Sequence, residues 1–137
     1  MSEHQIKFRP PKVKVKQSGN LELLEDWAVQ YNGWTIIVHA GFISDGNSVP
    51  CIFRWLVPKF GRNTIAGIVH DWLYYTGKVW VIKGGGYSAI TQREADVVRM
   101  NLCRECGVWW VERLASYIGL RIGGWVAWRR YRKRQPN

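Results

Sequence analysis

The dipeptide Asn32-Gly33 separates two runs rich in β-branched and aromatic residues, Leu21 to Tyr31 and Trp34 to Phe42. Both residues tolerate the positive φ that a two-residue type I′ turn requires, so this pair commits the N-terminal third of the chain to an antiparallel hairpin. Upstream, Val13 and Val15 alternate with lysines between residues 6 and 16, a pattern compatible with a further strand.

The periodicity then changes. Ser44-Asp45-Gly46-Asn47-Ser48-Val49-Pro50 is a run of turn and capping residues and reads as a loop, followed by a short apolar segment, Cys51 to Val57, long enough for one or two helical turns. From Asn63 the apolar residues Ile65, Ile68, Trp72 and Tyr75 recur at helical steps, with Gly77 as terminator. Lys78 to Ser88 reads as a flexible excursion or a small hairpin. Thr91 with Glu94 forms a capping box that starts a second helix, buried along Ala95, Val98, Leu102 and Cys106 and ended by Gly107. A third helix runs from about Val108 to Trp128, apolar at Val111, Leu114, Ala115, Ile118, Ile122 and Trp125, with Gly119 and Gly123 placed for close helix packing. These elements predict an α+β fold, a small N-terminal antiparallel sheet packed on three main helices.

Length and charge divide the chain. Its 137 residues, 47% apolar, suffice for one core. Half of the 20 basic residues lie at the two ends, while residues 18–128 carry ten basic and nine acidic side chains, a net charge of +1. A basic arm over 1–18, one domain over 19–128 and a basic tail over 129–137 are therefore expected. Such ends suit nucleic acid, anionic lipid or an acidic protein partner, and equally a solvated tail. Three cysteines make no disulfide framework. Cys103 and Cys106 form a C-x-x-C without a second pair, which reads as thiols rather than a zinc site. Polar residues after Met1 give no sign of a secretory signal, and Glu112, Arg113 and Arg121 interrupt the most apolar stretch, so no membrane-spanning helix is expected. A reducing compartment is expected.

The chemistry concentrates at His70-Asp71-Trp72-Leu73-Tyr74 and Asp96. On a helix, His70 and Tyr74 share a face and Asp71 projects about 100° away. Asp96, on the next helix, can accept from one imidazole nitrogen, leaving the other to take a proton from water. Asp71 would turn to the loop at Asp45, Gly46 and Asn47, where a carboxylate and backbone carbonyls make a hard-oxygen set suited to calcium or magnesium. The same His-Asp-Tyr network can instead lock two helices together with no catalysis.

This spacing resembles the secreted phospholipase A2 signature, an HDxxY helix with a later aspartate and an upstream glycine-rich calcium loop. The resemblance implies His70 as base, Asp96 as its orienting acid, Tyr74 as support and Asp71 as the calcium carboxylate. It covers about thirty residues, lacks that family's disulfides, and has Asp45-Gly46-Asn47 where those enzymes have more glycine. A longer resemblance is to the phage-associated family called domain of unknown function 1353. It rests on Gly41-Phe42, Ser44-Asp45-Gly46-Asn47-Ser48-Val49-Pro50, Ala66 through His70-Asp71-Trp72-Leu73-Tyr74, Arg93-Glu94-Ala95-Asp96, Gly107-Val108 and Gly124-Trp125-Val126-Ala127-Trp128. That resemblance implies a bacteriophage or prophage source, with host cytoplasm or a virion as the expected location, and supplies no activity.

Two functions compete on these residues. One is a calcium-assisted ester or lipid hydrolase working at a membrane surface, for which nine tryptophans and basic ends are suited. The other is a non-enzymatic virion, tail or adaptor protein that binds phage structural proteins or nucleic acid. In either case Trp109, Trp110, Trp125 and Trp128 with Arg129, Arg130, Arg132, Lys133 and Arg134 form the expected partner or membrane surface.

Overall fold

A computed structural model describes residues 5–44, 64–108 and 110–134. The segments proposed above as the Asp45-Gly46-Asn47 calcium loop and the Cys51–Val57 helical turns, and Trp109, lie outside the described residues.

The hairpin forms where the dipeptide places it. Strands β4 (Trp27–Tyr31) and β5 (Trp34–Val38) pair antiparallel with Tyr31 opposite Trp34, and Asn32 and Gly33 take φ of 44° and 85°. Along β4 burial alternates, with Trp27, Val29 and Tyr31 inward and Ala28 and Gln30 outward, the period of two that a one-sided sheet imposes.

Residues 6–15, within the segment marked as a basic arm, carry two strands rather than one. β1 (Ile6–Phe8) pairs with β4, and β2 (Val13–Val15) pairs with β3 (Leu21–Leu23), which in turn pairs with β6 (Ile43–Ser44). Pro10 and Pro11 separate them, since proline supplies no amide hydrogen to a ladder. The excursion after the first helix is also paired: β7 (Lys78–Val81) and β8 (Gly86–Ala89) form a hairpin that joins β5. Two antiparallel sheets result, ordered β1-β4-β5-β7-β8 and β2-β3-β6. The α+β expectation holds, with a larger sheet than a lone hairpin.

Three helices follow, the third packed on the first two. α1 (Thr64–Thr76) is more deeply embedded than the stripe Ile65, Ile68, Trp72, Tyr75 implies. Its buried residues are Ala66 to His70 with Leu73 and Tyr74, while Tyr75 is exposed, because α1 is packed by helices as well as by sheet. α2 (Gln92–Glu105) starts at Thr91, whose hydroxyl accepts from the Glu94 amide at 3.1 Å while the Glu94 carboxylate accepts from the Thr91 amide at 2.9 Å. Thr91→Ala is expected to cost about 1 kcal/mol in urea denaturation, since it removes the hydroxyl that accepts from the Glu94 amide.

α3 (Trp110–Arg134) continues through the segment expected as a basic tail. Basic residues suit a helix C-terminus, where they face the negative end of the macrodipole. Tyr131 and Arg132 also give these last turns tertiary contacts, an edge-on ring contact to Tyr75 at 5.9 Å and the hydrogen bonds described below. One core joins the layers, with Leu23, Val29 and Ile36 from the sheets meeting Ile68 and Leu73 of α1 and Leu102 of α2.

Candidate active site

Asp96 is the centre of the site. Its side chain is fully buried on α2 and faces α1, where Oδ1 lies 2.8 Å from His70 Nε2 and accepts from the Tyr74 hydroxyl at 2.7 Å. From α3, Arg121 Nη1 donates to Oδ2 at 3.2 Å. Three helices therefore converge on one carboxylate, and the i to i+4 spacing of His70 and Tyr74 is what lets both reach the same oxygen. Their rings lie against each other with centroids 4.1 Å apart.

The electrostatics fix the proton positions. Burial by itself pushes the Asp96 carboxyl upward, but the hydrogen bonds and charge from His70, with those from Tyr74 and Arg121, outweigh it and leave the group below its usual value. An ionised carboxylate only accepts, so the proton in the contact at 2.8 Å belongs to Nε2. A neutral imidazole protonated there carries its lone pair on Nδ1. Tyr74 is displaced strongly upward, first by burial and then by the adjacent Asp96 charge. It keeps its proton and serves as a donor to Asp96.

Asp71 faces elsewhere, as the helical angle requires. The Ser44 hydroxyl donates to its Oδ2 at 2.6 Å, so the last residue of β6 ties the start of the following segment to α1 beside His70. Asp71 is half-buried, and no cluster of three or more His, Cys, Asp or Glu side chains occurs among the described residues. A hard cation at Asp71 would complete its shell with backbone carbonyls and the side chains of Asp45 and Asn47, which lie outside the described residues.

α3 braces the site from Arg121, which sequence reading did not single out, and from Arg132, which it placed on the partner surface. Arg121 was visible only as a charge interrupting an apolar run, and that interruption is itself the signal for a buried acidic partner. Arg132 Nη2 donates to the carbonyls of Tyr74 at 2.8 Å and Tyr75 at 3.0 Å, capping α1, which has no basic residue in its own last turn. Gly77, with φ of 67°, ends α1 there, and any side chain at this position would collide with the Arg132 guanidinium.

The close helix approach occurs at Gly124, one residue from the expected Gly123. A Cβ at Gly124 would sit 2.5 Å from the Tyr74 hydroxyl, whereas one at Gly123 meets nothing within 4 Å. Gly124→Ala is therefore expected to displace Tyr74 from Asp96 and lose about 1–3 kcal/mol. Gly123→Ala should gain about 0.5–1 kcal/mol from helix propensity. Thermal unfolding of the two variants side by side checks the assignment.

The surface residues divide. Trp110 and Trp125 are exposed, whereas Trp128 is half-buried, edge-on to Tyr74 at 5.3 Å and beneath Arg132 at 4.6 Å. Trp128 thus supports the site rather than a surface. Arg129, Arg130 and Lys133 are exposed. Cys103 is buried and Cys106 half-buried. A cavity of about 260 Å³ lined by His39, Trp72, Lys78, Trp80 and Tyr87 lies on another side of α1, since Trp72 projects about 200° around the helix from His70.

The family model for proteins of unknown function DUF1353 matches residues 21–120. The chain belongs to the DUF1353 family. That match takes in β3 to β8, all of α1 and α2, and α3 as far as Leu120, so His70, Asp71, Tyr74 and Asp96 fall inside it and Arg121 just beyond. No curated protein and no solved structure matches the chain. No helix among the described residues is long and apolar enough to cross a membrane.

Proposed function

We propose that this DUF1353 protein is an ester hydrolase of the phospholipase A2 type, encoded by a phage or prophage, in which His70 activates water. The observation that carries the reading is the 2.8 Å contact between His70 Nε2 and the buried, ionised Asp96. It supports base chemistry at Nδ1, the nitrogen that carries the lone pair in this tautomer, and Tyr74 and Arg121 hold the acid that orients the ring.

In this reading Nδ1 takes a proton from water as the oxygen attacks the ester carbonyl, forming the new C–O bond. The imidazolium, stabilised by Asp96, then returns that proton to the departing alcohol oxygen as the ester C–O bond breaks, yielding a carboxylic acid and an alcohol. Asp71, one position along α1 from His70, is the carboxylate for a calcium ion, which when bound would polarise the ester carbonyl.

A second reading has one observation in its favour. The His70 side chain is 4% exposed and that of Asp96 fully buried, values that suit a strut between helices in a phage assembly protein. Hydrolysis of a monomeric short-chain phosphatidylcholine separates the two. The hydrolase reading expects release of fatty acid with calcium and loss of that release with chelator. No release in either condition overturns it in favour of the strut.

A further inference from the structure

α3 is apolar on two sides, and its own core uses only one of them. Gly124, Ala127, Trp128 and Tyr131 pack inward, yet Trp110, Leu114, Ile118, Ile122, Trp125 and Val126 are each between 43% and 68% exposed. At 100° per residue these six fall within an arc of about 160°, and the stripe with the charged turns that follow is about 35 Å long. Isolated exposed apolar residues are ordinary, but six on one face of one helix are a contiguous patch that water does not favour.

The charge around the stripe identifies what covers it. α3 contains seven basic residues and a single acidic one, Glu112. Arg129 and Lys133 continue the exposed face, Arg130 flanks it, and the Arg129 guanidinium lies 5.4 Å from the Trp125 ring centre. Indoles at both ends, aliphatic side chains between them and cations at one margin match the headgroup boundary of an anionic bilayer, where each group finds its preferred depth. A second copy fits poorly, because the chain carries a net charge of +10 and its α3 offers no acidic counterpart to the basic turns.

We infer that the outward face of α3 docks the protein on an anionic phospholipid surface. This rests on the hydrolase reading for its purpose, since Arg121 extends from α3 between Ile118 and Trp125 to the buried Asp96, so that the docked face and the dyad share one residue. Its side chain is 39% exposed at one end of that link.

The test is co-sedimentation of the full chain with vesicles of phosphatidylglycerol and phosphatidylcholine, and with phosphatidylcholine alone, in the presence of chelator and in the inactive His70→Asn background as well as wild type. Binding to the anionic vesicles is expected in both backgrounds. The exposed substitution Ile122→Glu should weaken it about tenfold, and Arg129→Gln with Arg130→Gln should weaken it by a similar factor or more, at about fivefold per cation. Circular dichroism of each variant confirms that its helices remain. No binding by wild type, or equal binding by all folded variants, overturns the inference. A dimer in light scattering that Ile122→Glu disrupts, without vesicle binding, overturns it in favour of a second copy. Docking is read without turnover and the short-chain ester assay without a surface, so failure of one leaves the other reading standing.

Discussion

Replacing Asp96 with alanine is expected to remove about 2–6 kcal/mol, because it deletes the acceptor shared by two buried donors. Most of that loss falls on His70 and Tyr74, whose buried donors would face no acceptor at a cost of about 1–3 kcal/mol each. Arg121 contributes less, because its side chain is 39% exposed and can turn to water. A domain of this size is held by about 5–15 kcal/mol in all, so the variant should unfold at a markedly lower urea concentration and have a reduced melting temperature.

The same residue sets an acid limit. The Asp96 carboxyl sits below its unfolded value of about 3.9, so its contribution is complete at pH above that value and is lost as the pH falls through the folded value. Wild type should therefore lose stability below about pH 4, and Asp96→Ala should show a shallower fall over the same window. Urea midpoints measured from pH 6 to pH 2 give both slopes.

The second large effect is on the proposed hydrolysis. His70→Asn preserves a polar group of similar reach in the site but removes the nitrogen proposed as the base, so kcat for the ester should fall by about 10²–10⁴. Tyr74→Phe is the informative companion. It deletes one of the donors that hold Asp96 while leaving imidazole and carboxylate in place, so a much smaller decrease is expected. Equal losses in the two folded variants would assign the cluster to helix packing.

Those residues were legible early because their geometry is local. His70 and Tyr74 are fixed by a four-residue helical spacing, Asn32-Gly33 by a turn that few other pairs can make, and Thr91 with Glu94 by a three-residue box. The partnership with Asp96 was legible too, as a carboxylate on the adjacent helix.

What sequence left open is non-local or depends on rotation. The alternation of Val13 and Val15 with lysines marked one strand in this segment, but the separate strand Ile6–Phe8 takes its structure from partners more than 20 residues away. Arg132 reaches Tyr74 across 58 positions, a contact no spacing rule encodes. On α3 the periodic apolar residues Leu114, Ile118, Ile122 and Trp125 mark the outward face, because a helix apolar on two sides gives no phase by which to choose its inner one. The displacement of the close approach from Gly123 to Gly124 is the same difficulty at the scale of a single residue, a rotation of about 100°.

The central claim is that Asp96 commits the Nε2 proton of His70 and so leaves Nδ1 as the base. Two-bond proton–nitrogen correlation spectra of the histidine rings, titrated to the pH at which the neutral form of His70 is observed, read the tautomer directly. The account predicts a ring protonated at Nε2 with the lone pair on Nδ1, shifting when Asp96 is replaced by alanine. A neutral ring protonated at Nδ1 would contradict it, since the nitrogen facing Asp96 would then carry no proton to give.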